Sequence, residues 1–233
     1  MFIAALVGAF LAFTLSASAG LGGSLVLIPI LVLFLGAKQG VALAALLLAA
    51  NNIAKVIVYR QSIPWRAAAV VIVLTMAGAW LGAILLIAVD EIWVQLAVAA
   101  TIAMTFIAER ATWTQLQRLA APVLALLAGT ASGFSGTSGP LKGVALRNLR
   151  LSRQYLVGAA SAVSLAGDVT KTMVFLHASL LSTEMFWLFA AAVPLMPLAT
   201  LLGKRINRRM GERAYTGLFW TVMAGYTVRL LGT

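Results

Sequence analysis

Apolar residues run through this chain in blocks of helical length, and short polar stretches separate them. Residues 2–17 form the first block, which ends in Ser16-Ala17-Ser18-Ala19-Gly20, and residues 24–36 form a second after the glycines. The second block covers only about 20 Å at 1.5 Å per residue, against a hydrocarbon core of about 30 Å. Together the two predict a hairpin over 2–36 that enters and leaves the membrane on one side. Residues 39–59, 66–88 and 91–108 are each long enough to span, and they close at Arg60, Pro64 and Arg66, at Asp90 and Glu91, and at Glu109 and Arg110. The pattern then starts again. Residues 119–133 are apolar, a break runs from Ser132 to Gly139, and 140–149 is too basic to cross hydrocarbon, which predicts a second hairpin over 119–149. Spans follow at 154–175, 185–203 and 214–230, the first two separated by a loop from His177 to Glu184. The predicted fold is an all-α integral membrane protein of two repeats, 1–110 and 111–233, each a re-entrant glycine-broken helical hairpin plus three transmembrane helices.

Composition supports the same class. With 62% hydrophobic and 10% charged residues, and a mean hydropathy of +1.02, the chain has too little polar surface to cover a soluble domain. The blocks lack the short alternation of an outer-membrane barrel. Cysteine is absent, which removes disulfides, iron–sulfur clusters and thiol catalysis. The formal charge of +11 does not point to nucleic acid, because the charges sit in short loops between apolar spans. If the loop at 60–66 is cytoplasmic, so are 109–118, 142–153 and 204–213, and these four stretches hold thirteen of the seventeen Lys and Arg residues. The opposite side carries Asp90, Glu91, His177 and Glu184, with Lys38 and Arg229 as exceptions. Three spans per repeat is an odd number, so the halves are inverted and both termini lie outside the cytoplasm. The stretch at 16–20 has the small residues of a signal-peptidase site but no basic segment before it, and is read as mature protein.

A single offset of 116 superimposes the chemistry of the two halves: Gly20 falls on Gly136, Gly23 on Gly139, Leu25 on Leu141, Asn52 on Asp168 and Lys55 on Lys171. Backbone that leaves the helix at membrane depth must face protein or a watery cavity. The short helices starting near Ser24 and Pro140 aim their N-termini at one place, which suits an anion. Gly22, Gly23 and Gly139 allow the turn and close approach, and Ser24, Ser135, Thr137 and Ser138 offer hydroxyls. Small-residue helix packing is the alternative for each glycine. Lysine inside a span costs about 3 kcal/mol on insertion scales, so Lys55 and Lys171 are candidates to pair with a bound anion. Against this, both lie near a span end, where lysine can snorkel, and Asp168 stands three residues before Lys171, in reach of an ion pair. Asn51 and Asn52 need partners in an apolar helix and are stronger binding candidates. Asp168 is also the best candidate for a coupling proton. Trp65, Trp93, Trp113, Trp187 and Trp220 fit an interfacial belt, and Pro194 and Pro197 predict a kink. No metal site, Walker loop or hydrolytic triad is present in the sequence, so neither enzyme nor cofactor is expected.

The turn Ser18-Ala19-Gly20-Leu21-Gly22-Gly23 followed by Pro29, its second copy from Ser132 to Gly139, and the small-residue helices at Gly78-Ala79-Trp80-Leu81-Gly82 and Leu201-Leu202-Gly203-Lys204-Arg205 resemble the TauE/SafE family of sulfite and organosulfonate exporters. The resemblance covers nearly the whole chain. Family members usually carry a fuller run of glycines in both copies, where here Ser138 and Pro140 interrupt the second. The resemblance implies a multi-pass protein of the bacterial inner membrane that transports a small inorganic or organosulfur anion. The expected function is secondary transport by alternating access at a midplane site between the inverted repeats. An anion channel on the same fold and a non-transporting membrane subunit are the alternatives. Lipid is the expected surroundings, nucleic acid is not a partner, and a homodimer is compatible with the reading.

Overall fold

The computed structural model describes residues 2–19, 24–110, 121–138, 141–149 and 151–207. Its elements, in chain order, are α1 (Phe2–Ala19), α2 (Ser24–Leu35), α3 (Ala37–Tyr59), a 3₁₀ turn (Arg60–Ser62), α4 (Trp65–Ala88), α5 (Glu91–Arg110), α6 (Ala121–Ser135), α7 (Leu141–Arg147), α8 (Arg153–His177), α9 (Thr183–Ala192) and α10 (Leu195–Asn207). The breaks expected near Gly20 and Gly136 separate α1 from α2 and α6 from α7. The expected span at 214–230 lies outside the described residues, as do Gly22, Gly23 and Gly139 of the hairpin tips.

Two helices among the described residues are long and apolar enough to cross a membrane: Ala37–Ile57 within α3, and α4. The distribution of residues around α4 fits that environment. Its inner face is Ala68, Val71, Thr75, Gly78, Ala79, Gly82, Ala83 and Leu86, all buried. Its outer face presents Val70, Val73, Trp80, Leu81, Ile84 and Leu85. Small residues inside and large apolar ones outside invert the soluble arrangement, and such an outer face is stable only against lipid or protein. α2 is different: Leu25 to Val32 are buried without interruption, so this short helix is surrounded by protein. Gly36 ends it with φ +85°, a conformation that strains any side chain. The following turn is fixed by Glu91, whose carboxylate accepts from the backbone N–H of Ala37, and by Lys38, which donates to the Ile87 carbonyl at 3.0 Å.

The expected span 185–203 is not one helix. It divides into α9 and α10 at Val193 and Pro194. Proline has no N–H to continue the ladder, and its ring clashes with the preceding turn, so the helix stops there. Pro197 falls in the first turn of α10, where a missing donor costs little.

α4 packs along α6 and against α8, α3 packs on α8, α2 on α3, and α1 on α10. The α4–α6 crossing is backbone against backbone. A Cβ at Gly78 or Gly82 would strike the main chain of α6 at Leu126, Thr130 and Phe134, and one at Gly129 or Gly133 would strike the main chain of α4 at Thr75, Ala79 and Ala83. Glycine at these four positions is what permits the approach. In lipid, packing of this kind drives helix association, because there is no hydrophobic gain from burying one helix on another.

Candidate functional site

Where α3, α4, α6 and α8 meet they enclose a polar cavity of about 60 Å³, room for roughly four waters or one small oxyanion. α3 contributes Leu48, Asn52 and Lys55, and α8 contributes Ser164, Gly167 and Asp168. Thr75 comes from α4, Ser132 from α6, and Gly136 and Ser138 from the break after it; Ser24 and Lys142, from the short helices α2 and α7, complete the polar wall. The break forms because Gly136 takes φ +82° directly after α6, a backbone state open to glycine at no steric cost.

The centre of the site is one hydrogen bond between the two long helices. Asn52 Nδ2 donates to Asp168 Oδ2 at 2.7 Å. The other carboxylate oxygen accepts from Lys171 Nζ at 2.8 Å, so both oxygens of Asp168 are engaged. Lys171 is completely buried. Besides Asp168 it donates to Ser132 Oγ at 3.0 Å and to the Gly136 carbonyl at 3.1 Å, with the Ser132 carbonyl at 3.4 Å. An ammonium has three protons, and here each has an acceptor. Lys171 therefore ties α8 to the end of α6 and fixes the break. Lys55 differs: it lines the cavity and makes no hydrogen bond or ion pair among the described residues.

Of the residues expected from sequence, Ser24, Asn52, Lys55, Ser138 and Asp168 stand in the cavity wall, and Asn51, Ser135, Thr137 and Lys171 do not. Ser135 is held inside the break, near the Ala131 and Thr137 carbonyls and the Thr101 hydroxyl. Thr137 accepts from Ser24 Oγ at 3.1 Å, which links the two hairpins. The ion pair weighed for Lys171 is formed, and the lysine stands behind the wall. Lys142, Ser164, Thr75 and Ser132 were not expected there. Lys142 belongs to the basic stretch assigned to a cytoplasmic loop, yet its Nζ donates to Ser164 Oγ at 2.8 Å inside the cavity. A signal for Ser164 does exist in the sequence: Ser164, Asp168 and Lys171 repeat the spacing of Leu48, Asn52 and Lys55, and each set falls on one helical face.

Helices that turn large apolar residues outward around a lysine-bearing cavity define an all-α membrane protein. The chain belongs to the TauE/SafE sulfite exporter family, whose model matches residues 4–230. Membership makes it a membrane transporter in general, and sets it apart from enzymes at the level of the family. No curated protein and no solved structure matches the chain.

Proposed function

We propose that the protein is a secondary transporter of the bacterial inner membrane that exports small sulfur-containing anions such as sulfite or organosulfonates. It does so by alternating access at this cavity, which lies between two inverted halves. The observation that carries the reading is the Asn52–Asp168 hydrogen bond, whose partners are 116 residues apart, the same offset that aligns the halves. Residues related by a two-fold rotation touch each other only close to its axis, so the bond supports a cavity on the axis of a duplicated molecule. Packing follows the same exchange. Moving every element by the offset turns α4 on α6 into α10 on α1 and α2 on α3 into α7 on α8, and returns α3 on α8 to itself; all of these contacts occur. The odd number of spans per half and the sidedness of the basic loops favour inversion over a parallel repeat.

In this reading Asn52 donates and the hydroxyls of Ser24 and Ser138 face the anion, while Lys55 supplies charge. Radiolabelled sulfite and organosulfonate flux into proteoliposomes tests it. Wild type is expected to show saturable flux, and Lys55→Ala to lose on the order of a hundredfold, the scale of one charge-assisted contact to a desolvated anion. Flux that does not saturate would favour a channel, and no flux for any anion would leave the fold without this function.

Asp168 is the proposed carrier of the coupling proton. Protonation would release Lys171 and, with it, the break. Asp168→Asn keeps an acceptor for Lys171 but cannot ionise, so it is expected to remove the dependence of uptake on an imposed pH gradient while sparing counterflow. Unchanged gradient dependence would assign coupling elsewhere.

A further inference from the structure

The charges around the cavity do not balance, and the imbalance has a definite size. Lys55, Lys142 and Lys171 are positive, and Asp168 is the single acid among the cavity-lining residues. Asp168 is committed to Lys171 through one oxygen and to Asn52 through the other. Among the described residues, Lys55 and Lys142 therefore have no acid partner. Lys55 has no hydrogen bond or ion pair among the described residues, and Lys142 has one, to the neutral hydroxyl of Ser164. Lys142 lines the same cavity as Lys55 and Asp168.

We propose that the cavity selects an oxyanion carrying two negative charges, with Lys55 and Lys142 as its two anion-contacting cations. The inference rests on the transport reading above and adds to it a residue, Lys142, and a rule of selection. Two like charges in a small cavity with apolar walls such as Leu48 and Val163 repel each other and are poorly solvated. A dianion compensates both, whereas a monoanion of the same shape leaves one buried charge without a partner. Hydroxyls of Ser132 and Ser138 donate to the remaining oxygens.

The difference between the two halves produces the surplus. At the position of Asp168 the first half carries Asn52. The first half therefore has no counterpart of the Asp168–Lys171 ion pair, since no acid stands three residues before Lys55. The amide instead donates to Asp168, which leaves Lys55 open to a ligand. The count of two thus follows from one amide in place of one acid.

The test compares sulfate with methanesulfonate, two tetrahedral oxyanions of similar size that differ in one unit of charge. Each is titrated against bound radiolabelled sulfite on the purified full chain at constant pH and ionic strength. Wild type is expected to favour sulfate by at least about tenfold. Lys142→Gln is expected to shrink that preference for sulfate over methanesulfonate about tenfold. Equal affinity of wild type for the two probes overturns the proposal without any variant having to fold, and leaves the transport reading standing. Equal weakening of both probes by Lys142→Gln overturns the charge rule as well. Failure of labelled sulfite and both probes to bind at all overturns this inference together with the function it rests on.

Discussion

Asp168→Ala is expected to destabilise the protein by about 3–5 kcal/mol, the usual consequence of removing one partner of a buried ion pair. The size comes from what stays behind. Lys171 is completely buried, and without the carboxylate its ammonium keeps only the neutral oxygens of Ser132 and Gly136. Asn52 loses its acceptor at the same time. In a thermal melt of detergent-solubilised protein, followed by tryptophan fluorescence, the midpoint should fall by roughly 6–20 °C for a chain of this size, or folded protein should be absent. Asp168→Asn combined with Lys171→Met removes both charges and keeps an acceptor for Asn52, and it should recover most of the loss. A single Asp168→Ala that melts with wild type would mean that the ion pair does not hold α8 to the break after α6.

Helix boundaries were legible because a block of apolar residues ends where charge or proline begins. The block 39–59 is α3 at Ala37–Tyr59, 66–88 is α4 at Trp65–Ala88, and 154–175 is α8 at Arg153–His177. The kink expected at Pro194 within 185–203 is a full break between α9 and α10; hydropathy, which runs on across the proline, does not tell a kink from a break. For the site, duplication was the informative signal. It singled out Asn52, Lys55, Asp168 and Lys171, and the structure brings Asn52 and Asp168 into contact. The Asp168–Lys171 ion pair was legible from the i,i+3 spacing, but the further acceptors Ser132 and Gly136, some 35–39 residues away along the chain, were not. Lys142 was hidden for another reason. Arg147, Arg150 and Arg153 follow it closely, and a run of basic residues reads as a loop. Lys142 lines the cavity from the first turn of α7 while Arg147 in its last turn is exposed, a difference set by tertiary packing.

Gly82→Val should be the most damaging substitution that touches no polar group. The new Cβ would meet the backbone of Thr130 and Phe134 on α6. A flexible side chain could turn aside, but the main chain of a helix cannot, so α4 and α6 must separate. Overpacking in a core costs about 1–3 kcal/mol where side chains can adjust, and this crossing has no such slack. The expected result is loss of the monodisperse folded peak on size-exclusion chromatography. Gly143→Ala is the control: it lies within α7 with nothing close to where its Cβ would be, and alanine should be neutral or stabilise by up to about 1 kcal/mol through helix propensity. The damage at Gly82 extends to the site. Thr75 on α4 and Ser132 on α6 both line the cavity, and Ser132 is an acceptor for Lys171. Moving the two helices apart would draw Ser132 from that lysine and open the cavity wall. Gly82→Ala, with the smallest possible Cβ, should therefore lower the melting temperature and weaken sulfite binding together. A Gly82→Ala protein with lowered stability and unchanged binding would separate the scaffold from the site.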